Sequence, residues 1–226
     1  MYHRIGRVRR DSIVPGQYVS PGLFARHVRL LQRLGFTGTT VGACWDESTA
    51  PQVCFTFDDA YASVSHFALP VLNELGWKST LFVVSNFVGS TNVWDEEVGD
   101  VSEALMSHDQ IFAAMACGHE LGAHSRTHPR LPLVADRSRE IVGNRDELAR
   151  IFGTEAEVFC YPYGAEDSAI REEVRSAGFR YACATTKGAW RRDGDPYRIP
   201  RINMRSTTWT LRFFSKILQA RRSNGA

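Results

Sequence analysis

Short apolar runs, each followed by a stretch of helical periodicity and often a glycine stop, recur along this 226-residue chain. Alternation of that kind implies parallel strands joined by helical crossovers, so the fold class is α/β. Periodicity alone leaves open whether the strands close into a β/α barrel or lie in an open doubly wound sheet. In either, functional residues collect at the carboxyl ends of the strands. Ser20-Pro21 reads as N-cap and first residue of a helix through Leu34, stopped by Gly35. Val53–Phe57 is a buried-type strand, followed by a helix from about Ser63 to Leu75 and then the strand STLFVV. After a polar loop, Ser107 and Gln110 form a capping box opening a helix that ends at Gly118. ELGAH, EVFCYPY and FRYACAT are further strands, separated by helices near Arg139–Phe152 and Asp167–Ala177, and a last helix is expected from Ser206 to about Ala220. No repeat or linker divides the chain, which reads as a single domain over residues 1–226.

Composition removes several functions. A net charge of +2 gives no electrostatic case for nucleic acid. No apolar run is long enough to cross a bilayer. The start, MYHRIGRVRRDS, has no apolar stretch after its charges, which with Met1 as the true start predicts a cytoplasmic protein. The five cysteines are odd in number, scattered and without a C-x-x-C pair, so neither a disulfide framework nor a cysteine zinc site is expected.

Three stretches carry chemistry. TFDDAY places Asp58 and Asp59 just past an apolar strand, where adjacent acids repel unless a cation offsets them; capping of the next helix is the competing reading. In GAHSRTHPRL, His124 and His128 lie four apart after another strand, close enough to reach one ion. By itself H-x-x-x-H is equally a chance pair. Two histidines and one carboxylate, however, are how catalytic zinc and related metals are held, and the remaining carboxylate is then free to act as a base. FCYPYGAED is a stiff loop fixed by Pro162 and Gly164 that can aim a backbone N–H at developing negative charge, or can be a plain strand-to-helix turn.

TFDD, HSRTH and YPYG, in this order and spacing between about Val53 and Met204, resemble the polysaccharide deacetylase family with the NodB homology domain. The resemblance implies a distorted, incomplete β/α barrel and metal-dependent hydrolysis of N-acetyl groups on sugars. It implies Asp58 as general base, Asp59, His124 and His128 as metal ligands, and the backbone N–H of Tyr163 as an oxyanion donor. The ligand set suits Zn²⁺, and Co²⁺, Ni²⁺ or Fe²⁺ would bind a similar site.

Two departures bear on mechanism. Many family members carry an arginine before the Pro-aromatic-Gly run, where Tyr161 stands here; Arg201 in RIPRINM is the substitute, or else a surface arginine at a strand end. The late Leu-x-His motif that supplies the usual acid is absent, and no histidine follows His128. In the poly-N-acetylglucosamine deacetylase branch, a Tyr-His pair ahead of the Asp-Asp motif takes that place, and Tyr2-His3 resembles it. His3 is thus expected to be the general acid, the alternative being a frayed terminus.

The leading expectation is an N-deacetylase acting on an N-acetylhexosamine, with a nucleotide-linked or lipid-linked sugar as substrate. Hydrolysis of another amide or cyclic imide, or a non-catalytic carbohydrate-binding module, are the alternatives. Tyr161, Trp94 and Trp190 are expected to touch the sugar, the tryptophans from loops. In the last helix, Trp209, Phe213 and Ile217 share a face beside Arg212, Lys216, Arg221 and Arg222. Core packing is the first reading of that face and a membrane-surface contact the second.

Overall fold

The computed structural model describes residues 1–46 and 48–223, with side chains through residue 219, so the expectation for Arg221 and Arg222 lies outside the described residues. The chain begins with β1 (Arg4–Ile5), β2 (Tyr18–Val19), α1 (Pro21–Arg33), β3 (Thr37–Thr39) and β4 (Gln52–Cys54). Then come β5 (Thr56–Phe57), α2 (Ala62–Phe67), α3 (Leu69–Asn73), β6 (Thr80–Val83), α4 (Val93–Glu96), α5 (His108–Ala116) and β7 (Glu120–Ala123). The remainder is α6 (Arg137–Phe152), β8 (Val158–Cys160), α7 (Ser168–Ser176), β9 (Tyr181–Cys183) and α8 (Thr210–Ser223).

Strands β5 to β9 form one parallel sheet in sequence order, as the alternation with helices requires. The sheet curls, and both of its edges are extended by irregular chain. Tyr2 pairs with Phe57 beside β5, and Ile199 pairs with Cys183 beside β9. The two extensions meet where the Met204 amide donates to the Met1 carbonyl at 3.0 Å. This arrangement is the incomplete β/α barrel. The N-terminal residues are thus part of it, with Tyr2 buried among Phe24, Phe55 and Phe57. At the centre, Gly122 pairs with Phe82, and a Cβ on Gly122 would stand 2.5 Å from the Phe82 ring. Only glycine lets that ring fill the barrel beneath the strand ends.

Local chemistry sets the helix ends. Ser20 Oγ accepts from the Leu23 amide, and Ser107 with Gln110 closes both bonds of the capping box. Asp136 caps α6, which therefore starts at Arg137, ahead of the expected Arg139. The long helix expected from Ser63 to Leu75 is two, broken at Ala68: Pro70 has no N–H for the helical ladder and its ring crowds the His66 carbonyl. The expected strand Val53–Phe57 is likewise divided, because β4 pairs with β3 whereas β5 pairs with β6. Helix α8 starts at Thr210, after a turn in which Thr208 Oγ1 accepts from the Arg205 amide. Its Phe213 and Ile217 are buried as expected, but Trp209 is 61% exposed. All five cysteines are free thiols.

A buried arginine, Arg4, ties the N-terminal strand to the loop after β6. Its Nη1 donates to Asp100 and its Nη2 to Asp95, each at 2.8 Å, and Nη2 also reaches the Tyr61 hydroxyl at 2.9 Å. Two buried histidines are held neutral. His119 Nδ1 accepts from the Ser79 amide at 3.1 Å, and His27 is bonded to the Tyr2 hydroxyl and the Thr208 carbonyl. Burial pushes both imidazoles down to about 4. An unfolded histidine takes up its proton near 6.5, so these groups contribute stability above that pH that is lost as pH falls toward 4. The melting temperature should therefore fall between pH 6.5 and 5, where most carboxylates are still ionised, and His119→Asn should reduce that slope. An undiminished slope in His119→Asn would contradict the assignment.

Candidate active site

The carboxyl ends of β5, β7 and β8 place the motif residues around one point, as strand-end positioning predicts. Asp58 and Asp59 follow β5, His124 follows β7, His128 lies four residues on, and Tyr163 lies in the Pro162–Gly164 turn after β8. Among the described residues, the non-glycine residues with positive φ are Asp59, Ala60, Ser125, His128 and Tyr163. All five stand in these strand-end loops, and a left-handed conformation costs such residues of order 1 kcal/mol or more each. Strain gathers where the side chains converge.

The two aspartates are both buried but differently partnered. Arg201 grips Asp58 with both guanidinium nitrogens, Nη1 to Oδ1 at 2.6 Å and Nη2 to Oδ2 at 2.9 Å. The same guanidinium donates from Nε to the Ala184 carbonyl at 2.9 Å and lies over the Phe82 ring. Burial pushes the Asp58 carboxyl up, but Arg201 and the nearby His3 outweigh it and hold the carboxyl below its ordinary value. Arg201 is thus buried against Asp58 and is not a surface arginine. Its signal in the sequence was only a strand-end RIPRINM.

Asp59 faces two imidazoles. Its Oδ1 stands 3.3 Å from His124 Nε2 and 3.2 Å from His128 Nε2. Burial again opposes ionisation, and the two histidines outweigh it, holding the carboxyl well below the usual range. The Cys160 carbonyl fixes His124 through Nδ1 at 2.7 Å, which turns Nε2 toward Asp59. His128 is held by its own amide, donated to Ser125 Oγ at 2.9 Å, and by Trp94 packed on its ring with centroids 4.5 Å apart.

These observations test whether a divalent ion fits. Asp59 Oδ1 is a buried oxygen without a hydrogen-bond partner, and its ligand atom and those of His124 and His128 all lie within 4.8 Å of one another. Two imidazoles and a carboxylate are a donor set for zinc and its transition-metal neighbours. The residues fit. Asp58, His124 and Cys160 also approach within 4.8 Å, but Arg201 occupies both Asp58 oxygens and approaches Cys160 Sγ at 3.1 Å. His124 Nδ1 is already bonded, so that trio is not a ligand set.

His3 lies on the Tyr2–Ile5 segment beside β5, its Nε2 4.0 Å from Asp58 Oδ2. The terminus is packed and not frayed, and burial holds this imidazole below its ordinary value. Three expected sugar contacts are corrected. Tyr161 is buried, its hydroxyl donating to the Tyr197 carbonyl and its ring packed on Phe159, so it has no face to offer a substrate. Trp94 is on α4 rather than a loop, 8% exposed, and its role is to back His128. Trp190 stacks edge-on against Trp45 and lines a cavity that includes Arg201 but none of the candidate metal ligands. Tyr163, by contrast, is 44% exposed, with Arg130 over its ring and His128 against its edge. Sequence reasoning missed Cys160, whose Sγ lies 3.6 Å from Asp58 Oδ2, and Arg4 with its carboxylates; neither stands in a recognisable spacing.

Known structures share this fold. The structure of IcaB from Ammonifex degensii superposes with a TM-score of 0.79 at 23% identity, over 95% of this chain and 94% of that one. The Streptococcus pyogenes deacetylase PplD, solved with acetate, gives 0.80 at 19% identity, over 96% and 95%. These likenesses define the fold class as that of the NodB-type deacetylases. The sequence pattern described as "Polysaccharide deacetylase" matches residues 46–182, and the chain belongs to that family. Poly-beta-1,6-N-acetyl-D-glucosamine N-deacetylase of Staphylococcus epidermidis is 26% identical over 161 residues, 66% of this chain and 53% of that protein. The chain spans about half the length of the curated relatives it matches.

The Asp58–Arg201 pair generates a stability prediction. Removing one member of a buried pair leaves an uncompensated charge, so Arg201→Met should cost about 3–5 kcal/mol by denaturant melts. Adding Asp58→Asn should return much of that loss, and a purely additive double variant would contradict the pairing.

Proposed function

We propose that this chain removes acetyl groups from the nitrogen of N-acetylhexosamines in a glycan or glycan precursor, with a divalent metal as cofactor. The observation that carries this reading is the division between the two adjacent carboxylates, one clamped by Arg201 and one facing two imidazoles. The family and the activity named for the Staphylococcus epidermidis relative support it. Asp59, His124 and His128 would hold the ion, zinc being the best match to the donors. When bound, it supplies Lewis-acid polarisation of the amide carbonyl.

The chain's own residues supply the rest. Asp58, kept ionised by Arg201, accepts a proton from the attacking water as its oxygen bonds to the carbonyl carbon. The Tyr163 amide, in its left-handed turn, is offered to the negative charge that develops on the carbonyl oxygen. His3, across Asp58, gives a proton to the nitrogen as the C–N bond breaks, leaving acetate and a free amine. Burial disfavours charge on His3, so the proton it gives is the one that Asp58 took from the water and passed on to it during the reaction.

Acetate release from N-acetylglucosamine oligomers by the metal-loaded protein is the direct test. His3→Ala should fold and bind metal normally yet lose roughly 10²–10⁴-fold in rate. His3→Gln, which hydrogen-bonds but does not titrate, should be no better. Near-normal turnover in either would remove His3 from the mechanism. Bound metal without release of acetate from any N-acetylated sugar would overturn the proposed activity.

A further inference from the structure

The cavity that Trp190 lines, of about 700 Å³, lies where β4–β5 and the 199–204 segment face each other across Met1 and Tyr2. Val53, Cys54, Phe55, Trp190, Ile199 and Phe213 line it, so its wall is largely aliphatic and aromatic. The size is that of a small-molecule site. Of its deep polar groups, Arg201 cannot take a ligand: Asp58, Ala184, Thr56 and Cys160 already engage Nε, Nη1 and Nη2. An anion drawn to it would have to displace Asp58. The charged groups at the rim are different. Arg191, Arg192 and Asp193 line the cavity and are exposed; Asp193 pairs with Arg191, and Arg192 donates to the Asp46 carbonyl, which leaves the rim with a net positive charge centred on Arg192.

The opposite wall continues into α8. Phe213 and Ile217 line the cavity, whereas Leu211, Phe214 and Leu218 of the same helix face solvent, at 86%, 37% and 38% exposure. Spacings of three and four place these exposed residues in one stripe along the helix, and Arg212 and Lys216 flank it. An apolar interior, a basic rim and an exposed apolar stripe alongside specify an occupant with an aliphatic body and an anionic end.

We infer that this cavity binds a single-chain anionic amphiphile, its alkyl chain against the half-buried Val53, Cys54, Trp190 and Ile202 and its carboxylate or phosphate at Arg192. The site is independent of the proposed deacetylase chemistry. The amphiphile is taken up either from solution or from a bilayer surface touched by Leu211, Phe214 and Leu218.

Titration of the full chain with octanoate, decanoate and laurate below micelle formation, read by tryptophan fluorescence, tests this. Saturable one-site binding is expected, tightening about fourfold per added methylene, the equivalent of ~0.8 kcal/mol each. Gly188→Trp places an indole at the rim, where a Cβ meets only Pro200 at 3.4 Å. It should weaken laurate by roughly tenfold, about the contact of two methylenes. Arg192→Glu, a surface change, should weaken laurate but not dodecanol and carries the test should Gly188→Trp fail to fold. Absence of saturable binding, affinity indifferent to chain length, or equal losses for laurate and dodecanol in Arg192→Glu would overturn the proposal. Sedimentation with phosphatidylglycerol vesicles separates the sources. Vesicle binding lost in Leu211→Ser/Phe214→Ser supports uptake from a bilayer, and laurate binding without vesicle binding supports uptake from solution.

Discussion

The Arg201 guanidinium closed on Asp58 is the contact on which the site's organisation depends. Two adjacent carboxylates buried at one strand end would repel, and one would be driven to take up a proton. The bidentate grip ends that competition by keeping Asp58 ionised and occupying both of its oxygens. Asp59 is left as the oxygen donor that faces His124 and His128. The same contact closes the architecture, because Arg201 follows the chain that extends β9 while Asp58 follows β5 at the other edge. One ion pair therefore links curvature of the sheet to separation of the two acids.

Around that pair, the loops are held against their own preferences. Left-handed backbone at Asp59, Ser125, His128 and Tyr163 persists only where the surrounding structure over-determines it. The Cys160 carbonyl orients His124, and Ser125 Oγ accepts from the His128 amide. Trp94 presses on His128 from α4, which Arg4 anchors through Asp95. Rigid support of this kind is what a metal site requires of the residues behind its ligands.

Much of this was legible in the sequence because it rests on local rules. Ser20 and Ser107 announce helix starts by capping chemistry, and apolar runs before TFDD and GAH announce buried parallel strands. Asp58, Asp59, His124 and His128 are visible because each motif is contiguous. What escaped depends on partners distant in the chain. The break between β4 and β5 follows from a change of pairing partner, which Val53–Phe57 does not encode locally. Pro70 did carry a readable signal for the break at Ala68. The misplacement of Tyr161 and Trp94 at the sugar has one cause: aromatic residues near a site in sequence are as often the packing behind it, and only burial distinguishes the two. Arg4, in a basic N-terminal run, gave no sign that it would be enclosed by two carboxylates.

The central claim is that two neighbouring carboxylates have separate duties. Calorimetric titration of Zn²⁺ into Asp58→Asn and Asp59→Asn, each compared with the unaltered chain, tests it most directly. Asp58→Asn should bind one ion with affinity within about tenfold of the parent, whereas Asp59→Asn should lose stoichiometric binding, since an amide is a far poorer ligand than a carboxylate. The reverse order, with metal lost in Asp58→Asn and kept in Asp59→Asn, would contradict the account.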